Sequence, residues 1–128
     1  MANNRYLIDT HILLWYLSDD KNLSFELKRV LEDTKNEILV SVVSLWEIFI
    51  KEDLGKLTVP KDIEKYTTRS GFDFLDIELE HVLNIKNLKN HHKDPFDRML
   101  IAQAIAENIP IITNDSKFLQ YKVKVIGV

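Results

Sequence analysis

An acid that directly follows a short apolar run near the start of the chain is the feature that most limits the possible folds. The run, residues 6–8, leads into Asp9 and Thr10, and a helix-like apolar pattern then covers residues 12–17. This order predicts a buried strand that ends in an acid and continues into a helix. In open α/β sheets, ligands bind beyond the carboxyl ends of the strands, so we expect Asp9 to face a crevice. The alternative is that Asp9 only caps the helix.

Segments of strand length and of helix length alternate along the rest of the chain. Further strands are predicted at residues 37–41, 71–75, 109–113 and 123–126. Helices are predicted from residue 24, over 45–55, from Pro60 to about 70, over 78–88, over 95–107 and around 117–119. Such alternation indicates parallel strand pairing with helical crossovers. The expected fold is an α/β three-layer α/β/α sandwich with a mainly parallel central sheet of about five strands, formed as one domain over residues 1–128.

Two of the predicted helices differ in their apolar pattern. The helix over 95–107 carries apolar residues on nearly every face, so it is expected to be central and buried. The helix over 78–88 is amphipathic, and the residues expected to face the core are Leu79, Val82, Leu83 and Ile85. Both helices are therefore expected to pack against the sheet.

Composition and charge exclude several classes of function. The absence of cysteine rules out disulfides, thiolate zinc sites and cysteine nucleophiles. A formal charge of -3 provides no general basic surface, so binding of nucleic acid would need a local patch or metal-bridged phosphates. No apolar run reaches the length of a membrane span, and no signal-like segment precedes the first strand. We expect a cytoplasmic protein without a membrane partner.

Four carboxylates occupy similar positions relative to the predicted elements. Asp9 ends the first strand, Glu47 follows the second, Asp97 lies in the first turn of the buried helix, and Asp115 follows the strand at 109–113. Three of the four thus lie at or beyond the carboxyl ends of strands. Because parallel strands end at the same edge of a sheet, we expect these side chains to converge on one site.

Each of these acids also has a purely structural explanation. Ser44 and Glu47 match a capping box, and Glu47 lies four residues before Lys51, as in an exposed ion pair. Asp97 would favour the dipole of a helix that begins after an Asp94 cap. An Asx turn or a cap would explain the acid at position 115. However, an unpaired carboxylate in an otherwise apolar helix is costly, which favours a shared role.

Several carboxylates in one site repel one another unless a cation is present. Oxygen ligands without cysteine suit Mg²⁺ or Mn²⁺. Such a site can activate water and stabilise charge during attack on a phosphodiester. Thr10 could supplement it through its hydroxyl, whereas His11 and the pair His91-His92 lack the spacing of a metal motif. The chain contains no P-loop, no nucleophile elbow and no dinucleotide-binding glycine pattern.

Four segments together resemble a known family. Residues 7–11, 41–48, 94–104 and 113–118 are similar to the motifs of the PIN-domain ribonucleases, and most similar to those of VapC-type toxins of bacterial toxin–antitoxin pairs. The resemblance covers nearly the whole chain, and its most specific part is the Asp-Pro-Phe-Asp-Arg block over 94–98. It implies a metal-dependent endoribonuclease on a small parallel sheet.

The same resemblance implies which residues act and which partners bind. It assigns catalysis and Mg²⁺ or Mn²⁺ binding to one set: Asp9, Glu47, Asp97 and Asp115. Asp94 is then a supporting or capping residue. A homodimer and a cognate antitoxin are also implied, for which Trp15, Trp46 and Phe49 are possible apolar contacts, although core packing is their more common role.

Basic residues close to the expected site are the natural contacts for RNA phosphates. The basic residues near the expected site, and therefore candidates for phosphate contacts, are Lys51, Lys56, Lys93, Arg98 and Lys117. Two alternatives remain open at this point. One is a phosphohydrolase in which Asp9 forms an aspartyl phosphate. Against it, Thr10-His11 supplies no second aspartate two residues after Asp9 to act as a general acid. The other is a receiver-like or degenerate PIN module that binds a cation without catalysis.

Overall fold

A computed structural model describes residues 4–128, so the first three residues of the predicted domain lie outside the described range. The strands within this range are β1 (Asn4–Ile8), β2 (Asn36–Ser41), β3 (Asp73–Leu75), β4 (Ile111–Ile112) and β5 (Val125–Ile126). The α-helices are α1 (Thr10–Leu17), α2 (Phe25–Glu32), α3 (Val42–Asp53), α4 (Ile63–Arg69), α5 (Leu79–Ile85) and α6 (Pro95–Glu107), and a 3-10 helix covers Ser116–Gln120. Among residues 4–128 no helix combines the length and the apolar character that crossing a bilayer requires.

The five strands of this range form one sheet in the order β3-β2-β1-β4-β5, and all neighbouring pairs are parallel. In the register of the central strands, Leu7 lies beside Leu39 and Ile111, and Ile8 lies beside Val40 and Ile112. The predicted parallel α/β sheet of about five strands is confirmed.

Successive side chains of these strands enter two different cores, as the pleat of a strand requires. The core that contains Leu7 and Leu39 is completed by α6, with Leu100 and Ile101 fully buried. The core on the other face contains Ile8 and is completed by side chains of α1, α2 and α4. Since both faces of the sheet are covered, its strands are apolar without alternation, which is typical of parallel sheets. The sheet therefore lies between two layers of helices, as in the predicted three-layer α/β/α sandwich.

Two helix starts differ from the predicted ones. Pro60 does not begin a helix, because α4 starts at Ile63 after Asp62, which has a left-handed backbone with φ of 61°. Helix α3 starts at Val42, directly after β2, where the Ser41 hydroxyl accepts a hydrogen bond from the backbone N–H of Val43 at 3.1 Å. The strand-to-helix turn after β2 is therefore tighter than predicted.

Helix α5 turns a different face toward the core than predicted. Leu79 is 74% exposed, and Val82 and Leu83 are about half exposed, whereas His81 is fully buried. The His81 Nδ1 accepts a hydrogen bond from the Glu78 backbone N–H at 2.9 Å, and its Nε2 lies 2.9 Å from Glu107 Oε2 on α6. The expectation that the leucines and the valine face the core was wrong, because these polar contacts fix the helix with its histidine inward.

Candidate active site at the carboxyl edge of the sheet

The carboxyl ends of β1, β2 and β4 lie at one edge of the sheet, since the strands are parallel and adjacent. Asp9 follows the last residue of β1, and Thr113 follows the last residue of β4. Helix α3 leaves the end of β2 and carries Glu47 in its second turn, and α6 carries Asp97 in its first turn. Acids from separate segments of the chain are thus placed at this edge.

Asp9 is almost completely buried and is held at both oxygens. Its Oδ1 accepts a hydrogen bond from the Ile12 backbone N–H at 2.8 Å, which makes it the N-cap of α1. Its Oδ2 accepts a hydrogen bond from the Thr113 hydroxyl. Burial raises the pKa of Asp9 above its usual value, and the two hydrogen bonds act in the opposite direction. The acid therefore caps the helix and also lies at the edge of the sheet.

Glu47 is only 3% exposed and is held between a hydroxyl and an ammonium group. The Thr10 hydroxyl donates to Glu47 Oε1 at 2.6 Å, and Lys51 Nζ lies 2.6 Å from Oε2. The predicted capping box of Ser44 and Glu47 was wrong, because α3 begins three residues earlier, and Ser44 Oγ instead lies 3.0 Å from the Thr10 hydroxyl. The predicted ion pair with Lys51 forms, but its carboxylate is buried rather than exposed.

The pKa of Asp97 responds to the negative charge of all the other acids. Burial, the largest cause, and repulsion from four carboxylates together raise its pKa to about 7, with the repulsion decreasing in the order Asp94, Glu47, Asp9 and Asp115. Its Oδ2 lies 3.6 Å from the Nε2 of His92, a buried atom without a hydrogen-bond partner. Each of the other predicted acids is therefore close enough to Asp97 to affect its pKa.

Asp94 and Asp115 each hold the start of a helix. Asp94 Oδ1 accepts hydrogen bonds from the backbone N–H groups of Phe96 at 2.9 Å and Asp97 at 3.2 Å, which confirms its predicted N-cap role. Asp115 Oδ1 accepts from the Lys117 backbone N–H at 2.9 Å and caps the 3-10 helix. The negative charges of both residues also contribute to the raised pKa of Asp97.

The basic residues predicted near the site differ in their availability. Lys51 is engaged by Glu47, and Arg98 Nη1 donates to the Lys89 carbonyl at 3.0 Å and so holds the loop before α6. Lys56, Lys93 and Lys117 are exposed. Phosphate contacts are therefore open to these three lysines more readily than to Arg98.

Two neighbours of the acids were not identified from the sequence. Thr113 belongs to a segment that was singled out, but its bond to Asp9 was not foreseen. His92 was considered only as a metal ligand, whereas its Nδ1 lies 2.8 Å from the Tyr121 hydroxyl and its Nε2 points toward Asp97. In the sequence, the only indication of this role for Thr113 is its hydroxyl at the end of a predicted strand, two residues before Asp115.

The acids fit a divalent cation by donor type and by charge. All candidate ligand atoms are carboxylate or hydroxyl oxygens, and a cation would relieve the repulsion that raises the pKa of Asp97. Among residues 4–128, however, no three acidic or histidine side chains are already arranged around a common point as metal ligands. Lys51, Thr113 and backbone N–H groups hold the carboxylates in this arrangement.

Comparison with known sequences identifies the family. The sequence model of the PIN domain matches residues 6–124. The chain belongs to the PIN domain family. The resemblance to PIN domains predicted from the four segments is thus confirmed, and the acidic residues of this PIN domain all fall within the matched range. No curated protein matches the chain.

Several solved structures share the fold of this PIN domain. DNA-bound VapBC from Salmonella typhimurium has a TM-score of 0.71 at 14% identity, covering 96% of this chain and 97% of that chain. VapBC2 from Rickettsia felis, bound to a fragment of its promoter DNA, has a TM-score of 0.68 at 19% identity, covering 95% and 97%. A toxin–antitoxin complex from Klebsiella pneumoniae has a TM-score of 0.65 at 20% identity, covering 94% and 95%. At these identities the likeness concerns the fold.

Proposed function

We propose that this PIN domain is a metal-dependent endoribonuclease that hydrolyses RNA phosphodiester bonds and acts as the toxin of a toxin–antitoxin pair in the cytoplasm. The observation that carries the proposal is the pKa of Asp97, raised to about 7 by burial and by four other carboxylates at one edge of the sheet. A bound divalent cation would offset this repulsion, and strongly shifted pKa values are typical of functional sites. Membership of the PIN domain family and the toxin–antitoxin complexes among its structural neighbours support the same conclusion.

In this proposal Asp9, Glu47, Asp97 and Asp115 hold Mg²⁺ or Mn²⁺. When bound there, the ion would supply a water of lowered pKa and would stabilise charge on the phosphate that is attacked. Thr10 orients Glu47 through its hydrogen bond to Oε1, and Thr113 fixes Asp9 through Oδ2. Asp94 keeps the first turn of α6 closed, so that Asp97 projects toward the other acids.

A cut-site map on total RNA tests the proposal. Purified protein with Mg²⁺ should produce new RNA ends that disappear with chelator and with Glu47→Gln. Glu52→Gln is a matched control, because Glu52 lies on the same helix and is exposed. Cleavage that persists in Glu47→Gln and Asp9→Asn with chelator present would refute the proposal. Binding of metal without any cleavage would favour a degenerate cation-binding module instead.

An aspartyl-phosphate mechanism receives no support from the contacts of Asp9. Both of its oxygens are hydrogen-bonded, and the side chain is buried at the start of α1. An aspartyl-phosphate mechanism also needs a general acid beside the nucleophile, and the groups bonded to Asp9, the Ile12 backbone N–H and the Thr113 hydroxyl, are not acids.

We further propose that the domain binds an antitoxin over α3 and forms a homodimer through α5. Trp46 is 58% exposed and Phe49 is nearly half exposed on α3, the helix that also carries Glu47. The expectation that core packing is their main role was therefore wrong for these two residues. The Trp46 ring packs edge-on against Phe96, the residue before Asp97, with 5.5 Å between the ring centroids, so a partner bound here would lie beside the acids. Leu79, Val82 and Leu83 form the exposed apolar side of α5, and light scattering of the purified chain, compared with Leu83→Lys, tests the dimer.

A further inference from the structure

A cavity of about 560 Å³ opens between α1 and the segment that connects α3 to α4. This volume lies in the range of pockets that hold small organic ligands. Leu14 and Trp15 contribute one apolar wall from α1, and Leu57, Val59 and Ile63 contribute the opposite wall. The acids of the site are not part of these two apolar walls.

The cavity is continuous with the acidic site. Thr10 and Lys51 belong to its lining, and both contact Glu47 with donor-to-acceptor distances of 2.6 Å. One side chain therefore separates a ligand in the cavity from the carboxylates. If the phosphate of a nucleotide lies at the acidic site, the base of that nucleotide or of the adjacent one would lie at the opening of the cavity.

The lining combines flat aromatic surface with positive charge. The rings of His11 and Trp15 lie 6.2 Å apart at 56° to each other, and His11 is exposed at the opening. Lys51, a cation of the lining, is paired with Glu47, whereas Lys56 is the exposed cation of the lining. The acid of the lining, Asp20, accepts a hydrogen bond at Oδ1 from the Asn22 backbone N–H at 2.8 Å. Unstacked bases of single-stranded RNA bind to aromatic side chains, while the adjoining phosphates bind lysine. A base with its phosphate matches both properties.

We propose that this cavity is a nucleobase subsite, which takes one unstacked base next to the phosphate that is cleaved and so determines the sequence preference. This rests on the proposed function, because RNA is the substrate in both. Trp15 stacks on the base, His11 closes the opening, and Lys56 contacts the phosphate on the side away from the acids.

Tryptophan fluorescence tests the subsite without any cleavage. The chain has two tryptophans, so Trp46→Phe leaves Trp15 as the single reporter. Addition of AMP, GMP, CMP or UMP should quench Trp15, with a preference for one base, and ribose 5-phosphate should not. His11→Ala and Lys56→Ala should weaken the nucleotide response several-fold, whereas Lys61→Ala, exposed and outside the lining, should leave it unchanged. Equal responses to nucleotides and ribose 5-phosphate, or no response, would overturn the inference.

Cleavage maps provide the second test. His11→Ala should change the preferred base at one position beside the cut, and Lys56→Ala should lower RNA affinity and reduce the salt dependence of binding by about one ion. If the wild type cuts RNA and both variants keep its preference, affinity and salt dependence, the inference is wrong and the cavity is assigned to a protein partner. If the wild type cuts no RNA, the proposed function fails, and the fluorescence of Trp15 still decides whether a base binds.

Discussion

Lys51 Nζ lies 2.6 Å from Glu47 Oε2, so the buried acid of α3 has a counter-charge one turn further along the same helix. The hydrogen bond to Glu47 raises the pKa of Lys51 and keeps it protonated. A carboxylate as buried as Glu47 would be costly without such a partner. The metal-free protein therefore balances part of its acidic cluster internally.

Lys51→Met should destabilise the metal-free protein by about 1–3 kcal/mol, since it leaves the carboxylate of Glu47 without its cation. The added stabilisation by Mg²⁺ should then be larger than in the wild type, because the ion no longer competes with an ammonium group. Urea unfolding with and without Mg²⁺ measures both effects, with the exposed Lys56→Met as control. A metal-free stability equal to that of the wild type would contradict the role given to Lys51.

Asp97→Asn should remove a pH dependence of stability. The folded-state pKa of Asp97 is raised from 3.8 to about 7, so folding favours the protonated form. Its contribution is complete below about pH 4 and is lost as the pH rises through 7. Without metal, the variant should be more stable than the wild type at pH 8, by on the order of 1–2 kcal/mol after solvent screening, and should lack this slope. Thermal melts from pH 5 to 8 test this, with the exposed Asp73→Asn as control.

Mg²⁺ or Mn²⁺ should raise the melting temperature, and more strongly at pH 8 than at pH 6, because protons compete for Asp97. An ion at about 100 times its dissociation constant adds about 2.7 kcal/mol to stability. Asp9→Asn and Asp97→Asn should each reduce the shift, whereas NaCl of equal ionic strength should not reproduce it. An unchanged melting curve with millimolar metal would argue against a shared cation site.

Thr10→Val should cost about 1–3 kcal/mol of stability, because a buried oxygen of Glu47 loses its donor while the side-chain volume is kept. Thr10→Ser retains the hydroxyl and should cost less. Chemical denaturation of both variants measures the difference. If serine and valine are equally destabilising, packing of the methyl group rather than the hydrogen bond explains the position.

The sequence predicted features that depend on local pattern. The strands at Leu7 and Leu39 and the central helix α6 follow from apolar runs of distinct length and period, and the cap at Asp94 follows from the proline after it. The start of α3 was displaced because the serines at 41 and 44 are both acceptable caps, and the choice between them depends on where β2 ends.

Contacts between distant segments could not be read in the same way. The burial of His81 depends on Glu107 of another helix, and nothing within α5 indicates it. The pairing of Thr10 with Glu47 likewise joins residues 37 positions apart. Apolar periodicity identifies a face, but it contains no information on which polar group lies opposite.

The bond between Thr113 and Asp9 spans 104 positions, and β4, which brings Thr113 to β1, is a two-residue strand near the end of the chain. Asp9 is therefore synthesised long before β4 and Thr113, which complete its hydrogen bonding. A nascent chain, or one truncated before residue 111, would lack this part of the site and should be inactive. Asp9 therefore gains its Thr113 partner only after β4 has been synthesised, and the segments before β4 cannot form the complete site by themselves.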